Sequence, residues 1–381
     1  MMSSPPVKYR RKPRSGGFTL IELMIAVLVG AFVIMALYAM YSISVRTYRV
    51  QDQALEAMSQ LRAGTAQLRA DLRSAAFNAP GQSEKEPWAF VLGGVPLYAV
   101  VVDVDPEVPV SEIGANDNIS PQRITLTGDF DSHQLFQATM IAGQEVTLQW
   151  GPENGTKADF ERIFVNSNQL RIETYGSARQ EQYIPIVSAN YNGGVNPKIT
   201  VQDAVQNVSG FGSGSEVSVV STVRYRLERD TKRSDESVKY DLIREKIDPM
   251  GQPVKGSWLV VAEYVVDMQV YDLCFNEAEP AAGTMEQLPI SLVCYPTLEK
   301  LESSFHSLAN NSNNTAHQLR SMSVKLATRT AFEDQDITFA PRESINQPLR
   351  TYELDPSLTG AARVYEAPFT VFMTSIQARR Q

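Results

Sequence analysis

The chain has 381 residues, 43% apolar and 20% charged, a balance that excludes an intrinsically disordered protein. Its 35 Lys and Arg against 43 Asp and Glu leave a net charge of −8; five of the basic residues stand at the start without an acid, so the remainder carries −13. An acidic body of this kind excludes nucleic acid as the main partner, because phosphate binding needs clustered Lys and Arg.

The opening block holds Lys8, Arg10, Arg11, Lys12 and Arg14 and is followed directly by an apolar run. That order obeys the tendency of Lys and Arg to stay on the cytoplasmic side of a membrane. Residues 23–41 carry no charge. As a helix they span about 28 Å, enough for a hydrocarbon core of about 30 Å. A cleaved secretory signal is the alternative. Its apolar region runs about 7–15 residues and ends at a small-residue site, whereas this run is longer and closes on no such site. A retained anchor with the rest of the chain exported is therefore expected. Glu22 is the one acid at the mouth of the run.

Helical periodicity continues over residues 46–78. Leu55, Met58, Leu61, Leu68, Leu72 and Ala76 recur at spacings of three, four or seven, and Arg62, Gln67, Arg69, Asp71 and Arg73 fall between them, mostly on the other face. The Pro80-Gly81 pair ends the pattern. A helix continuous over residues 18–79 would be about 90 Å long. No globular monomer needs such a rod, so its first half belongs in lipid or against other helices and its second half on a domain.

Beyond Pro80-Gly81 the texture becomes β-rich. Strands are expected at 123–127, 145–150, 162–165, 170–175, 217–228, 239–245, 258–261, 268–272 and 319–329, with alternation clearest at 223–229 and 322–328. Turn clusters separate them at Gly93-Gly94, at 152–155, at 192–194 and at 248–251. The Gly/Ser-rich stretch 208–215 and the Asn-rich stretch 309–315 read as loops. The fold class is α+β: a long N-terminal helix, first transmembrane and then amphipathic, packed on an antiparallel sheet domain with loop insertions.

Little in the chain asks for catalysis or a cofactor. The Gly-rich 210–214 lacks the Lys-Ser/Thr end of a phosphate loop, and the acids of 102–107 lack EF-hand spacing and read as a solvated loop. His133, His306 and His317 have no metal-ligand spacing and read as surface or partner-contact residues; no enzyme and no metal site is expected. Cys274 and Cys294 lie 20 apart, and in an exported domain a disulfide is expected, with two free thiols as the alternative.

The stretch Gly16-Gly17-Phe18-Thr19-Leu20-Ile21-Glu22, set between a basic leader and an unbroken apolar helix, resembles the signature of type IV prepilins and pseudopilins. The resemblance implies a pilin-like fold and a prepilin peptidase cut between Gly17 and Phe18, with Phe18 then N-methylated. It divides the chain into a cleaved leader (1–17), a transmembrane and assembly half-helix (18–45), an amphipathic half-helix (46–79) and an exported head (80–381). In that family the acid at the position of Glu22 pairs with the terminal amine of a neighbouring subunit, so a carboxylate costly in lipid is compensated by assembly. The subunit type that caps the tip lacks this acid, so the chain is expected beneath another subunit.

Many major pilins carry a proline midway along the span. This chain has none between Pro13 and Pro80, and Gly30 is the weak point of its span. Segment 67–73 with the break at Pro80-Gly81 looks like the minor pilins of the PilW kind and their type II secretion relatives of the GspJ kind; segments 223–227, 242–245, 265–272 and 319–329 look like PilW, and the size of the chain favours the pilus. The implied partners are other minor pilins, the major pilin, the prepilin peptidase and the inner membrane, with no nucleic acid. The implied location is the inner membrane with the head in the periplasm, and then the assembled pilus. A pilin-stemmed adhesin is the remaining reading.

Overall fold

The computed structural model describes residues 18–75, 77, 91–92, 95–96, 99–104, 116, 119, 121–174, 181–205, 212–230, 239–276, 292–295, 319–343, 347–354 and 360–373. The chain divides into two compact units, Met1–Asp52 and Gln53–Gln381. One helix, α1 (Leu20–Ser74), runs through the boundary. In the first unit its side chains are exposed all round, Phe32, Leu37 and Tyr41 being more than half exposed. It is long and apolar enough to cross a membrane.

In the second unit α1 buries Ala57, Leu61, Gly64, Leu68, Asp71 and Leu72. This stripe differs from the expected one. Leu55 is 66% exposed, and Asp71 sits on the buried face. The 3.6-residue period through Leu61, Leu68 and Leu72 also selects Ala57 and Gly64, small residues that admit a close approach. Each fully buried leucine contributes about 2 kcal/mol. The helix also stops earlier than residue 79. After Ser74 the amide of Phe77 returns to the Ser74 carbonyl at 3.1 Å, and the Phe77 carbonyl accepts from Asp129 N at 2.8 Å, so the backbone is diverted to a strand end.

The strands in chain order are β1 (Val91–Leu92), β2 (Val95–Pro96), β3 (Val100–Val104), β4 (Gln122–Gly128), β5 (Phe136–Ala142) and β6 (Glu145–Gln149). A short helix, α2 (Lys157–Ile163), precedes β7 (Gln169–Glu173), β8 (Glu181–Asn190), β9 (Lys198–Val201), β10 (Glu216–Arg229), β11 (Tyr240–Ile247) and β12 (Leu259–Ala262). The remainder are β13 (Val265–Asn276), β14 (Leu292–Tyr295), β15 (Leu319–Arg329), β16 (Thr351–Tyr352) and β17 (Ala362–Phe372). Every strand pairing among the described residues is antiparallel.

The 14-residue β10 organises the head. Its second half lies between β11, through the pairs from Thr222↔Ile247 to Arg229↔Tyr240, and β4, through Ser221↔Gly128 to Tyr225↔Ile124. Adding β3 beside β4 and β12 beside β11 completes one sheet. A second sheet has the order β14-β13-β15-β17-β16. The alternating residues Val223, Tyr225 and Leu227 of β10 meet Leu61, Leu68 and Leu72 of α1 in one core with Met268, Met322, Val324 and Leu326 of the second sheet. The helix laid on antiparallel sheet is thus present as expected.

The first half of β10 does something the periodicity did not announce. It pairs with β5 on one side and β7 on the other, and the pairings β5–β6, β6–β9, β9–β8 and β8–β7 return to it. Six strands therefore close into a small barrel, which removes the sheet edges. The barrel has its own core, including Phe136, Leu148, Leu170, Ile184, Ile199 and Val219, plugged by Phe160, Ile163 and Phe164. Trp150 stacks on Phe136 at 5.5 Å and meets Phe160 edge-on at 5.1 Å.

Several expectations are corrected here. The segment 162–165 is not a strand; Arg162 and Ile163 end α2 and Phe164 is its C-cap. Thr156 Oγ1 accepts from the Asp159 amide at 3.4 Å and Asp159 Oδ2 accepts from the Thr156 amide at 2.9 Å, a capping box that starts the helix. The acidic 102–107 is not wholly loop, because residues 102–104 belong to β3 and Asp103 pairs with Arg123 at 3.3 Å; residues 105–107 lie outside the described residues. β1, β2, β3, β5, β8, β9, β14, β16 and β17 fall outside the expected strand segments. Of the Gly/Ser stretch 208–215, residues 212–215 form a turn into β10, and the rest lies outside the described residues, as do 309–315, Gly81, Gly93-Gly94, Asp117, His306 and His317.

Candidate assembly site

Phe18 and Thr19 precede α1, and Phe18 is 88% exposed. The Thr19 amide donates to Glu22 Oε2 at 2.9 Å, the Thr19 hydroxyl donates to the same oxygen at 3.0 Å, and the Glu22 amide donates back to Thr19 Oγ1 at 3.3 Å. This reciprocal pattern satisfies amide donors that the first turn of a helix leaves without intrahelical partners. It also places the carboxylate at the positive end of the helix dipole. Oε1 makes no hydrogen bond among the described residues and is open to a further donor. Thr19 is thus a positioning residue for Glu22 that reading the carboxylate alone overlooked. Its signal was the T-x-x-E spacing of residues 19–22. Gly16, Gly17 and the basic leader lie outside the described residues.

The second half of α1 is held in the head by polar contacts as well as by leucines. Asp71 accepts from Tyr225 Oη at 2.7 Å, from Arg244 Nε at 2.5 Å and from Gln67 Nε2 at 3.2 Å. Burial and the adjacent Asp71 charge raise the pKa of the Tyr225 hydroxyl, so it stays a donor. Thr328 Oγ1 donates to the Ala57 carbonyl at 3.0 Å, and Gln60 Oε1 accepts from Glu263 N at 3.2 Å. At Gly64 an added Cβ would stand 2.8 Å from Leu326 Cδ2 and 3.0 Å from Ala262 Cβ. Only glycine lets the helix approach both strands this closely.

The barrel is tied to the rest of the head through Asp131. Its carboxylate accepts from Lys246 Nζ of β11 at 2.7 and 2.9 Å and from Asn168 Nδ2 at 3.0 Å, and its carbonyl accepts from Arg162 at 3.0 Å. His133 is exposed, with its ring 6.3 Å from that of Phe77. Cys274 and Cys294 face each other across β13 and β14 and form a disulfide. Among the described residues no group of three or more His, Cys, Asp or Glu is arranged to hold a metal ion.

Residues 12–38 match the family model described as the prokaryotic N-terminal methylation motif. No curated protein matches the chain, and no solved structure does. The matched motif covers the leader's last basic residues, Gly17, Phe18, Glu22 and most of the apolar run. It supports a pilin or pseudopilin role in pilus or secretion assembly. Together with the exposed apolar helix it indicates membrane anchoring through the N-terminal segment, and interaction with other pilins and with the prepilin peptidase in general.

Proposed function

We propose that this chain is a PilW-like minor pilin of the inner membrane that joins other minor pilins in a complex priming type IV pilus assembly and stays near the filament tip. The reading is carried by one observation: the methylation motif of residues 12–38 runs into an apolar stretch of α1 that is exposed among the described residues and presents Glu22 at its mouth. The mechanism is docking, with no catalytic step and no cofactor. The prepilin peptidase cuts between Gly17 and Phe18 and releases an amine at Phe18, which is then methylated. Thr19 holds Oε2 of Glu22 and leaves Oε1 for the terminal amine of the next subunit. A carboxylate in lipid is costly unless paired, so the ion pair favours docking in register.

Chain length and the resemblance of the head segments favour the pilus over a type II secretion pseudopilin of the GspJ kind. The embedded barrel supports a second reading, a pilin-stemmed binding module, because it is a separately cored unit set between β4 and β10.

The test uses Glu22→Ala in cells that hold the partner pilins. The variant is expected to remain in the membrane fraction and to begin at a methylated Phe18, while its recovery with partner pilins falls about tenfold, the ratio that about 1.4 kcal/mol supplies. A full-length amino terminus, or undiminished co-purification, overturns the reading.

A further inference from the structure

The last turns of α1 in the first unit carry an uneven distribution of side chains. Tyr38, Tyr41 and Tyr48 are 73%, 68% and 71% exposed, and Arg46 and Arg49 are exposed as well. At 100° per residue these five positions fall within roughly 160° of the helix circumference. The opposite face carries Ala36, Ala39, Met40, Ile43, Thr47 and Val50, with no charge and no tyrosine. The level along the axis is equally specific. Arg46 and Arg49 lie 24 and 27 residues beyond Glu22, about 36 and 40 Å at 1.5 Å per residue. With Glu22 at the inner edge of a hydrocarbon core of about 30 Å, both lie past its outer edge, at and just beyond an outer headgroup layer about 5–8 Å deep, from which their long side chains reach back to the phosphates.

We propose that Tyr38, Tyr41, Tyr48, Arg46 and Arg49 form a lipid-headgroup contact face on α1 that selects anionic phospholipid in the outer leaflet of the membrane the helix spans. The inference rests on the membrane-anchored reading above. Tyrosine is amphipathic, with a ring suited to the acyl boundary and a hydroxyl suited to the wet headgroups. A guanidinium forks onto phosphate oxygens with two parallel hydrogen bonds, and two of them about 4.5 Å apart along the axis present positive charge at neighbouring depths. Asp52, one turn further on, stands on the water side of both arginines. The uncharged opposite face, with its small residues, is left for neighbouring helices. A subunit leaving the membrane for a filament would have to release these headgroups.

The full mature chain, purified from membranes, is exchanged into vesicles of equal parts phosphatidylglycerol and phosphatidylcholine. It is then extracted gently, and the lipid retained is counted by native mass spectrometry. The wild type is expected to retain more phosphatidylglycerol, by about fivefold for each arginine. Arg46→Gln/Arg49→Gln is expected to lose that preference, and Arg46→Lys/Arg49→Lys to keep much of it. Equal retention of the two lipids by the wild type, or a preference that the Gln variant keeps, overturns the lipid face while leaving the anchor standing. A chain recovered in the soluble fraction overturns the anchor itself. Intact disulfide in each variant shows that the head has folded.

Discussion

Asp71 shows how a residue that reads as surface from spacing can hold two elements together. It interrupts an otherwise apolar stripe because Tyr225 and Arg244 reach it from neighbouring strands. Removing one partner of such a buried set leaves the others desolvated without compensation. Asp71→Ala is expected to destabilise the head by about 3 kcal/mol, read as a lowered denaturation midpoint, and Asp71→Asn by less. A midpoint unchanged in the alanine variant would rule out that role.

Asp267 is a different case. It is paired with Arg342 at 3.2 Å, both side chains being fully buried, and Oδ1 accepts no hydrogen bond among the described residues. Burial, against the opposing pull of Arg342 and Lys325, pushes its carboxyl up to about 7 from an ordinary 3.8. A carboxyl raised on folding contributes stability below its unfolded value and loses it as pH rises through the folded one. Wild type should therefore lose about 2 kcal/mol relative to Asp267→Asn between pH 5 and pH 8. Denaturant titrations of both proteins at the two pH values measure the difference, and parallel behaviour would show that the group does not titrate there.

At the scale of elements, the decisive contacts are made where side chains are smallest. Gly64 costs α1 about 1 kcal/mol of helix propensity against alanine. It remains because α1 passes within contact distance of β12 and β15 at that point. Gly64→Leu is expected to cost about 2–3 kcal/mol through overpacking, while Ala63→Leu on the exposed side of the same turn should be nearly neutral. Equal midpoints for the two variants would mean the approach is not close. Elements also explain the misread segment 162–165. A strand is expected there, but the Thr156–Asp159 box starts a helix, and the buried Phe160 and Ile163 anchor it over the barrel. The box was visible at T-x-x-D; that its helix would have a cavity to plug was not.

For the whole molecule, Cys274 and Cys294 connect chemistry to compartment. Cross-strand pairing of β13 with β14 sets the two cysteines opposite each other, and a bond between them persists in an oxidising space. Native protein should take up a thiol reagent only after reduction, even though Cys294 is exposed. Ready labelling without reductant would show that the bond is not kept in the native chain. Its closure of a loop about 20 residues long contributes on the order of 3 kcal/mol in the chain-entropy model.

By itself the sequence determined what repeats over short distances or depends on local chemistry. That covers the methylation motif of residues 12–38, the 19-residue uncharged run, the helical period and strands such as Leu319–Arg329. These follow from hydropathy, charge and 3.6- or 2-residue spacing, which neighbouring residues carry. Tertiary structure alone decided that β10 serves a sheet with one half and closes a barrel with the other. It likewise decided that Asp71 faces inward and that Gly64 is a contact rather than a weak point. Those outcomes depend on partners 173 residues away for Asp71 and Arg244, and further still for Gly64 and Leu326. A closed barrel and an open sheet use the same alternation along each strand, so only the pairing between distant strands distinguishes them.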